Sequence, residues 1–226
     1  MSELEAKELL KDSGVEVAES RIVRDEHDVA AALAELGGRI ALKVSASEIL
    51  HKSERGALAL GLDSVETALR AYDRLSALAA ACGGIVVAER MVPAGVELLV
   101  TATAEAVVPA VVVGLGGVWT ETLADVAIVP LPAGAARIER ALRKLRGAPV
   151  LLGGRGQPAA DVGAASRLAQ RTGELLLEAS LEVIELNPVL VGERGAVAVD
   201  ALVRGHGRAV AAPTDGEQRE AVRFMT

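Results

Sequence analysis

Apolar residues recur at helical spacing in "SELEAKELLKDSG", which predicts a short helix stopped at Gly14, and again in "EHDVAAALAEL", ended by Gly37-Gly38. The pattern then tightens. "RIALKVS" and "ALALGL" each read as a strand, paired across the polar turn "HKSERG". Asp63 followed by Glu66 makes a capping box for the helix "SVETALRAYDRLSALAAAC", after which Gly83-Gly84 leads into the strand "IVVAERM". The order of elements describes an α+β lobe with a small sheet. "VPAG", Val92 to Gly95, is the clearest break in mid-chain and a candidate hinge.

Beyond it "VELLVTAT" and "AVVPAVVVG" read as strands, followed by the Gly-rich turn "GLGG". "GAARIERALRKLRG" is a helix. "DVGAASRLAQRTGELLLEAS" is a longer one, with Val162, Ala165, Leu168, Ala169, Thr172, Leu175, Leu176 and Ala179 on one face. Two strands, "EVIELNPVLV" (broken at Pro188) and "AVAVDALV", close the second lobe, and the chain reads as a tail from Arg204. The expected organisation is a first lobe over 1–91, a second over 92–210 and a tail over 211–226.

Composition narrows the function. Aromatic residues make up only 1% of the 226, Tyr72, Trp119 and Phe224, so the core must be aliphatic and stacking on single-stranded nucleic acid is disfavoured. A net charge of -7 argues against coating DNA. The stretch Leu98–Val118 is long enough to span a membrane, but Pro109, Gly114, Gly116 and Gly117 make two buried strands the better reading. Cys82 is the only cysteine, and the charged N-terminus lacks an apolar signal core; both fit a reducing, cytoplasmic setting. Neither nucleic acid nor membrane is therefore expected as a partner.

Several residues could carry chemistry. Glu185 and Asn187 alternate on one strand and share a face, and Asp200 can lie across from Asn187 if the last two strands form a hairpin. Such hard oxygen ligands suit Mg²⁺ shared with nucleotide phosphates; the plainer reading is a turn Asn and a solvated Asp. Lys43 is either an edge lysine in water or a cation aimed at a phosphate. Glu89 and Glu97 flank the hinge, where backbone groups could read an adenine and a carboxylate could take the ribose; singly, each also reads as a surface charge. His51 in the HKS turn, one of three histidines, is polar surface or a working imidazole.

Taken in order, the segments "LKVSASEILHKSERGALALGL", "VVAERMVPAGVELLV", "VVVGLGGVWTETLADVAIVPLP", "LLGGRGQPAADV" and "VIELNPVLV…GAVAVDALV" resemble an ATP-grasp domain. More narrowly, the chain is similar to the ATP-grasp subunit of ADP-forming acyl-CoA synthetases, the acetate–CoA ligase group related to succinyl-CoA synthetase, over about Leu4 to Val203. The resemblance implies an ATP-grasp fold of two α+β lobes with the nucleotide, ATP or ADP, in the cleft between them. It implies that Lys43 binds phosphates, that Glu89 and the backbone of Met91 and Val92 face the adenine, that Glu97 takes the ribose, and that Asn187 and Asp200 hold Mg²⁺. It further implies a CoA-binding α-type partner subunit that handles the carboxylic acid and acyl-CoA and carries a phosphorylated histidine. Glu185 would steady that phosphohistidine, and His51, partnered by Asp125, would relay phosphate.

The chain also departs from the pattern. Gly56-Ala57-Leu58-Ala59 stands where the family reads Gly-Gly-Val-Lys, and "TATAEAVVPA" keeps only Pro109 of a charged turn and Phe-Gly-Pro. The alternatives are a nucleotide-binding regulatory subunit without turnover and an ATP-grasp ligase using an acyl phosphate without phosphohistidine. The altered turns motivate the first; His51 and Asp125, which the second would not need, count against it.

Overall fold

The computed structural model of the protein describes residues 1–46, 56–116, 125–154 and 158–205. His51 and the tail expected over 211–226 lie outside the described residues.

Helix α1 (Glu3–Asp12) is started by a capping box: the Ser2 hydroxyl accepts from the Glu5 N–H while the Glu5 carboxylate takes the Ser2 N–H. Strand β1 (Ser20–Val23), α2 (Glu26–Glu35), β2 (Ile40–Ser45), β3 (Leu58–Leu62), α3 (Val65–Ala81) and β4 (Ile85–Arg90) follow. The four strands form an antiparallel sheet in the order β1-β4-β2-β3. Ile40, Leu42 and Val44 of β2 turn to one face, where Val86 and Ala88 of β4 join Val29, Ala68 and Leu75 from the helices in an aliphatic core. Period-two alternation leaves Ala41, Lys43, Val87 and Glu89 on the opposite face. That face is also buried, with Lys43 only 4% and Glu89 2% exposed.

The second sheet contains β5 (Val96–Thr103), β6 (Ala110–Leu115), β7 (Val126–Pro130), β8 (Leu181–Val191), β9 (Ala196–Ala198) and β10 (Ala201–Gly205). Its order is β10-β8-β5-β6-β7, with β9 paired to β8. Helices α4 (Ala135–Leu142), α5 (Ala148–Leu151) and α6 (Val162–Glu178) accompany it. Ile138, Leu142, Leu168, Leu175 and Leu176 pack with Leu98, Val100, Ile184 and Leu186 in a second aliphatic core. The apolar stretch read as two strands is β5 and the β6 hairpin arm, and among the described residues no helix is long and apolar enough to cross a membrane.

Five local expectations differ from the structure. Helix α1 precedes the first sheet in sequence, yet Ala6 and Leu10 belong to the second core, so the grouping of residues 1–91 into one lobe fails at its start. Chain order misleads here because the following segment, through Val17, bridges to Ala198 of β9. Ser64 rather than Asp63 caps α3, its hydroxyl accepting from the Thr67 N–H at 3.3 Å. Pro188 does not end its strand: β8 runs to Val191. The β5–β8 register shifts between Leu98 and Val100, so the proline sits in an irregularity where its missing N–H removes no ladder bond. "AVAVDALV" is two strands, parted at Val199-Asp200. Ala179 lies past the end of α6 and is exposed.

Candidate active site

Where β4 leaves the first sheet and β5 enters the second, the connection 91–95 runs close against the end of β8. A side chain on Gly95 would meet the Val191 carbonyl oxygen at 2.5 Å, so only glycine lets the connection lie there. On the other side of the junction, Ala18 N–H donates to the Ala198 carbonyl at 2.9 Å and Ala198 N–H to that of Glu16 at 2.9 Å. These bonds tie the approach to β1 onto β9, and they set the β9–β10 corner beside the inner face of the first sheet.

At that corner the two halves of the chain meet. The Lys43 ammonium donates to the Val199 carbonyl at 3.4 Å, across 156 residues of sequence. Asp200 follows directly. The Asn187 N–H donates to the Asp200 carbonyl at 3.3 Å, which sets Asn187 of β8 beside Asp200 at the corner. One Asp200 carboxylate oxygen accepts from the Ala201 N–H at 3.0 Å. Glu185 lies two positions back along β8, half-buried, level with Thr101 of β5 and Leu202 of β10.

Lys43 is not a solvated edge lysine, nor is Glu89 a surface charge. The Lys43 ammonium pairs with the Glu89 carboxylate at 2.8 Å and closely with Glu3 of α1. Lys7, one turn further along α1, pairs closely with Glu89 and at 3.3 Å with Glu3. Burial works against the Lys43 charge, but Glu89, Glu3 and Asp200 outweigh it and hold the ammonium above the usual lysine range. Lys7 lies below that range because burial and repulsion from Lys43 outweigh the pull of Glu89 and Glu3. The cation at the corner is thus favoured in its charged form by the oxygen acceptors around it.

The remaining residues are spread more widely. Glu97 opens β5 and is exposed, and its carbonyl accepts from the Gly116 N–H at 2.8 Å. Met91 and Val92 are half-buried in the connection. The Met91 N–H is engaged with the Arg39 carbonyl at 3.2 Å, so an adenine would be met by other backbone groups there. Asp125 stands at the start of β7, three strands from β8 in the sheet order, on the order of 14 Å at ordinary strand spacing. Its oxygens accept from the N–H groups of Gly147 at 2.7 Å and Arg146 at 3.0 Å. The Gly147 bond, with further help from Arg146, holds its carboxyl below the usual aspartate range against the effect of burial.

Two residues escaped the sequence reading, Glu3 and Lys7. Their i,i+4 spacing on α1 looks like a solvated ion pair. The available signal was their position: Glu3, Lys7 and Leu10 follow one helical stripe, and Lys7 is 3% exposed.

The donor set at the corner fits Mg²⁺. It offers one amide residue on β8 and one carboxylate residue at the corner beside it, and no group of three or more His, Cys, Asp or Glu side chains among the described residues could form a closed protein cage. Mg²⁺ favours such open sites, taking few protein oxygens and completing its shell with water and phosphates.

Known proteins match this arrangement. An ATP-grasp domain model covers residues 1–204. The β subunit of ADP-forming acetate–CoA ligase I from Pyrococcus furiosus is 31% identical over 207 residues, 88% of this chain and 89% of that protein. The trans-feruloyl-CoA synthase FCS1, from an unknown prokaryotic organism, is 36% identical over 89% of this chain, which spans only 30% of that longer protein. A structure of the dinucleotide-forming acetyl-CoA synthetase 1 of Ca. Korarchaeum cryptofilum, in complex with coenzyme A and Ca-AMPCP, superposes with TM-score 0.85 at 26% identity, covering 91% of this chain and 93% of that one. A second structure of that enzyme, with coenzyme A and Mg-AMPPCP, has its phosphohistidine segment pointing towards the nucleotide site; it superposes with TM-score 0.80 at 27% identity, covering 91% of this chain and 93% of that one. With its two antiparallel sheets meeting at a buried lysine, this chain belongs to the ATP-grasp family, in the branch of the ADP-forming acetate–CoA ligase β subunits.

Proposed function

We propose that the protein is the nucleotide-binding subunit of an ADP-forming acyl-CoA synthetase, catalysing acid + CoA + ATP = acyl-CoA + ADP + phosphate with a CoA-binding α-type partner. The observation that supports this most directly is the junction of Lys43 with the Val199-Asp200 corner. A charged lysine and hard oxygen ligands from opposite ends of the chain converge there, as a bound nucleoside polyphosphate requires.

In this reading the Lys43 ammonium meets the phosphate oxygens, where a compact charge on a buried stem loses little to solvent screening. Asn187 and Asp200 would hold Mg²⁺, which when bound neutralises phosphate charge. The connection at Met91 and Val92 receives the adenine, with Glu89 beneath it and Glu97 towards the ribose. The partner subunit brings a phosphohistidine to the nucleotide, and Glu185, half-buried beside Asn187 on β8, accepts from its imidazolium and fixes its approach. His51 takes part in the phosphate relay, with Asp125 directing its ring. The lone, half-buried Cys82 is in keeping with a reducing, cytoplasmic setting.

Acyl-CoA synthesis by the chain mixed with its co-expressed CoA-binding subunit tests this. ADP release that depends on acid, CoA and both chains is the expected result. Nucleotide binding with no turnover in the assembled complex would make the chain a regulatory subunit instead. Phosphate transfer that survives removal of the partner's histidine would point to an acyl-phosphate ligase.

A further inference from the structure

The ions around Lys43 form a closed ring. Lys43 touches Glu3 and Glu89, and Lys7 touches the same two carboxylates. All four side chains are nearly enclosed, none more than 8% exposed. Two members come from the first sheet and two from a helix anchored in the other core by Ala6 and Leu10. Its two lysines and two glutamates balance, and loss of any single member leaves a net charge.

A phosphate that draws Lys43 away changes this balance. Of the four, Lys7 would then be the cation left against the buried Glu3 and Glu89. Buried carboxylates without compensation are strongly disfavoured, so the identity of the remaining cation decides whether Lys43 can be released. Glu3 has the opposite effect: its carboxylate competes with phosphate for the same ammonium.

We propose that Glu3 and Lys7 of α1 are positioning residues of the nucleotide cleft, Glu3 holding Lys43 until a phosphate displaces it and Lys7 neutralising the carboxylates that Lys43 leaves behind. This rests on the reading that Lys43 meets nucleotide phosphates. It adds a second role for α1, which sets the affinity for phosphate-bearing ligands from outside the phosphate site. Because adenosine carries no phosphate, the effect is confined to nucleotides.

The test is titration calorimetry of the full chain with Mg·ADP and with adenosine, for wild type, Glu3→Gln, Lys7→Met, the double variant and Lys43→Met. Glu3→Gln leaves the ring with surplus positive charge and is expected to tighten Mg·ADP by about three- to tenfold. Lys7→Met leaves Lys43 clamped between two carboxylates and is expected to weaken Mg·ADP by on the order of tenfold. Adenosine affinity stays within about twofold in both. The double variant, neutral again, falls between the singles, and it decides the matter together with Glu3→Gln if Lys7→Met does not fold. A ring that only glues the lobes together would lower thermal stability in both single variants while leaving the ADP-to-adenosine ratio at the wild-type value, and that result overturns the inference. If Lys43→Met itself leaves the ratio unchanged, the nucleotide-site reading fails, and this inference fails with it. If Lys43→Met lowers the ratio while Glu3→Gln and Lys7→Met do not move it in opposite directions, only the role of α1 is lost.

Discussion

Lys43 occupies a strand position where a leucine or valine would pack with less cost, and its charge survives because three carboxylates face it. With Lys43 at the phosphates as proposed, Lys43→Ala would remove a charge-assisted contact worth about 1.5–3 kcal/mol, so Mg·ADP affinity should fall roughly ten- to a hundredfold while adenosine is barely affected. Equal losses for both ligands in calorimetry would place Lys43 outside the phosphate site. Asp200→Ala should abolish the Mg²⁺ dependence of ADP binding, and an unchanged Mg²⁺ titration would contradict its role as a ligand. The lysine itself was legible in the sequence as a charge in an apolar strand. Its burial was not, because the groups that enclose it, among them Glu3 and Val199, are distant in sequence.

Among the elements, the termini and the corners carry most of the local information. Asp161 caps α6, accepting from the Ala164 N–H at 2.8 Å and also from the Gly195 N–H at 3.2 Å. The Ala164 bond, with help from Gly195, holds its carboxyl below the usual range against burial, and Asp125 is held down in the same manner at the start of α5. For a carboxyl whose folded pKa is depressed, the stabilisation is complete above the unfolded value of about 4 and is lost as pH falls through the folded value. Asp161→Asn should therefore flatten the acid limb of a Tm-versus-pH curve below about pH 4; parallel curves for variant and wild type would remove Asp161 from the account. Long amphipathic helices such as α3 and α6 were legible from apolar spacing alone. Strand β7 and helix α5 are too short to show a period in the sequence: β7 has five residues after a Gly-rich segment, and α5 has four with Pro149 in its first turn. The run of β8 through Pro188 depends on a register shift against β5, which no single strand discloses.

For the molecule as a whole, the first helix is the main surprise. It begins the chain, yet it completes the second core and supplies half of the ion ring to the first sheet. Leu10 is fully buried in that second core, so Leu10→Ala should destabilise the protein by about 2–5 kcal/mol in chemical denaturation. A loss well under 1 kcal/mol would mean that α1 is an appendage rather than part of the lobe. The two-lobe ATP-grasp architecture could be anticipated because strand, hinge and Gly-rich turn follow one another in a distinctive order. The docking of α1 could not, since it depends on long-range contacts: Ala6 and Leu10 in the second core and the bridge from Val17 to Ala198. One assay tests the proposed role of the Lys43 cleft most directly: formation of ATP from acyl-CoA, ADP and phosphate by the chain reconstituted with its CoA-binding subunit, wild type beside Lys43→Met. The expected result is ATP from the assembled wild type, none from either chain alone, and a loss of at least about tenfold in the variant at subsaturating ADP. Equal ATP formation by the Lys43→Met complex, or turnover by the 226-residue chain alone, would contradict it.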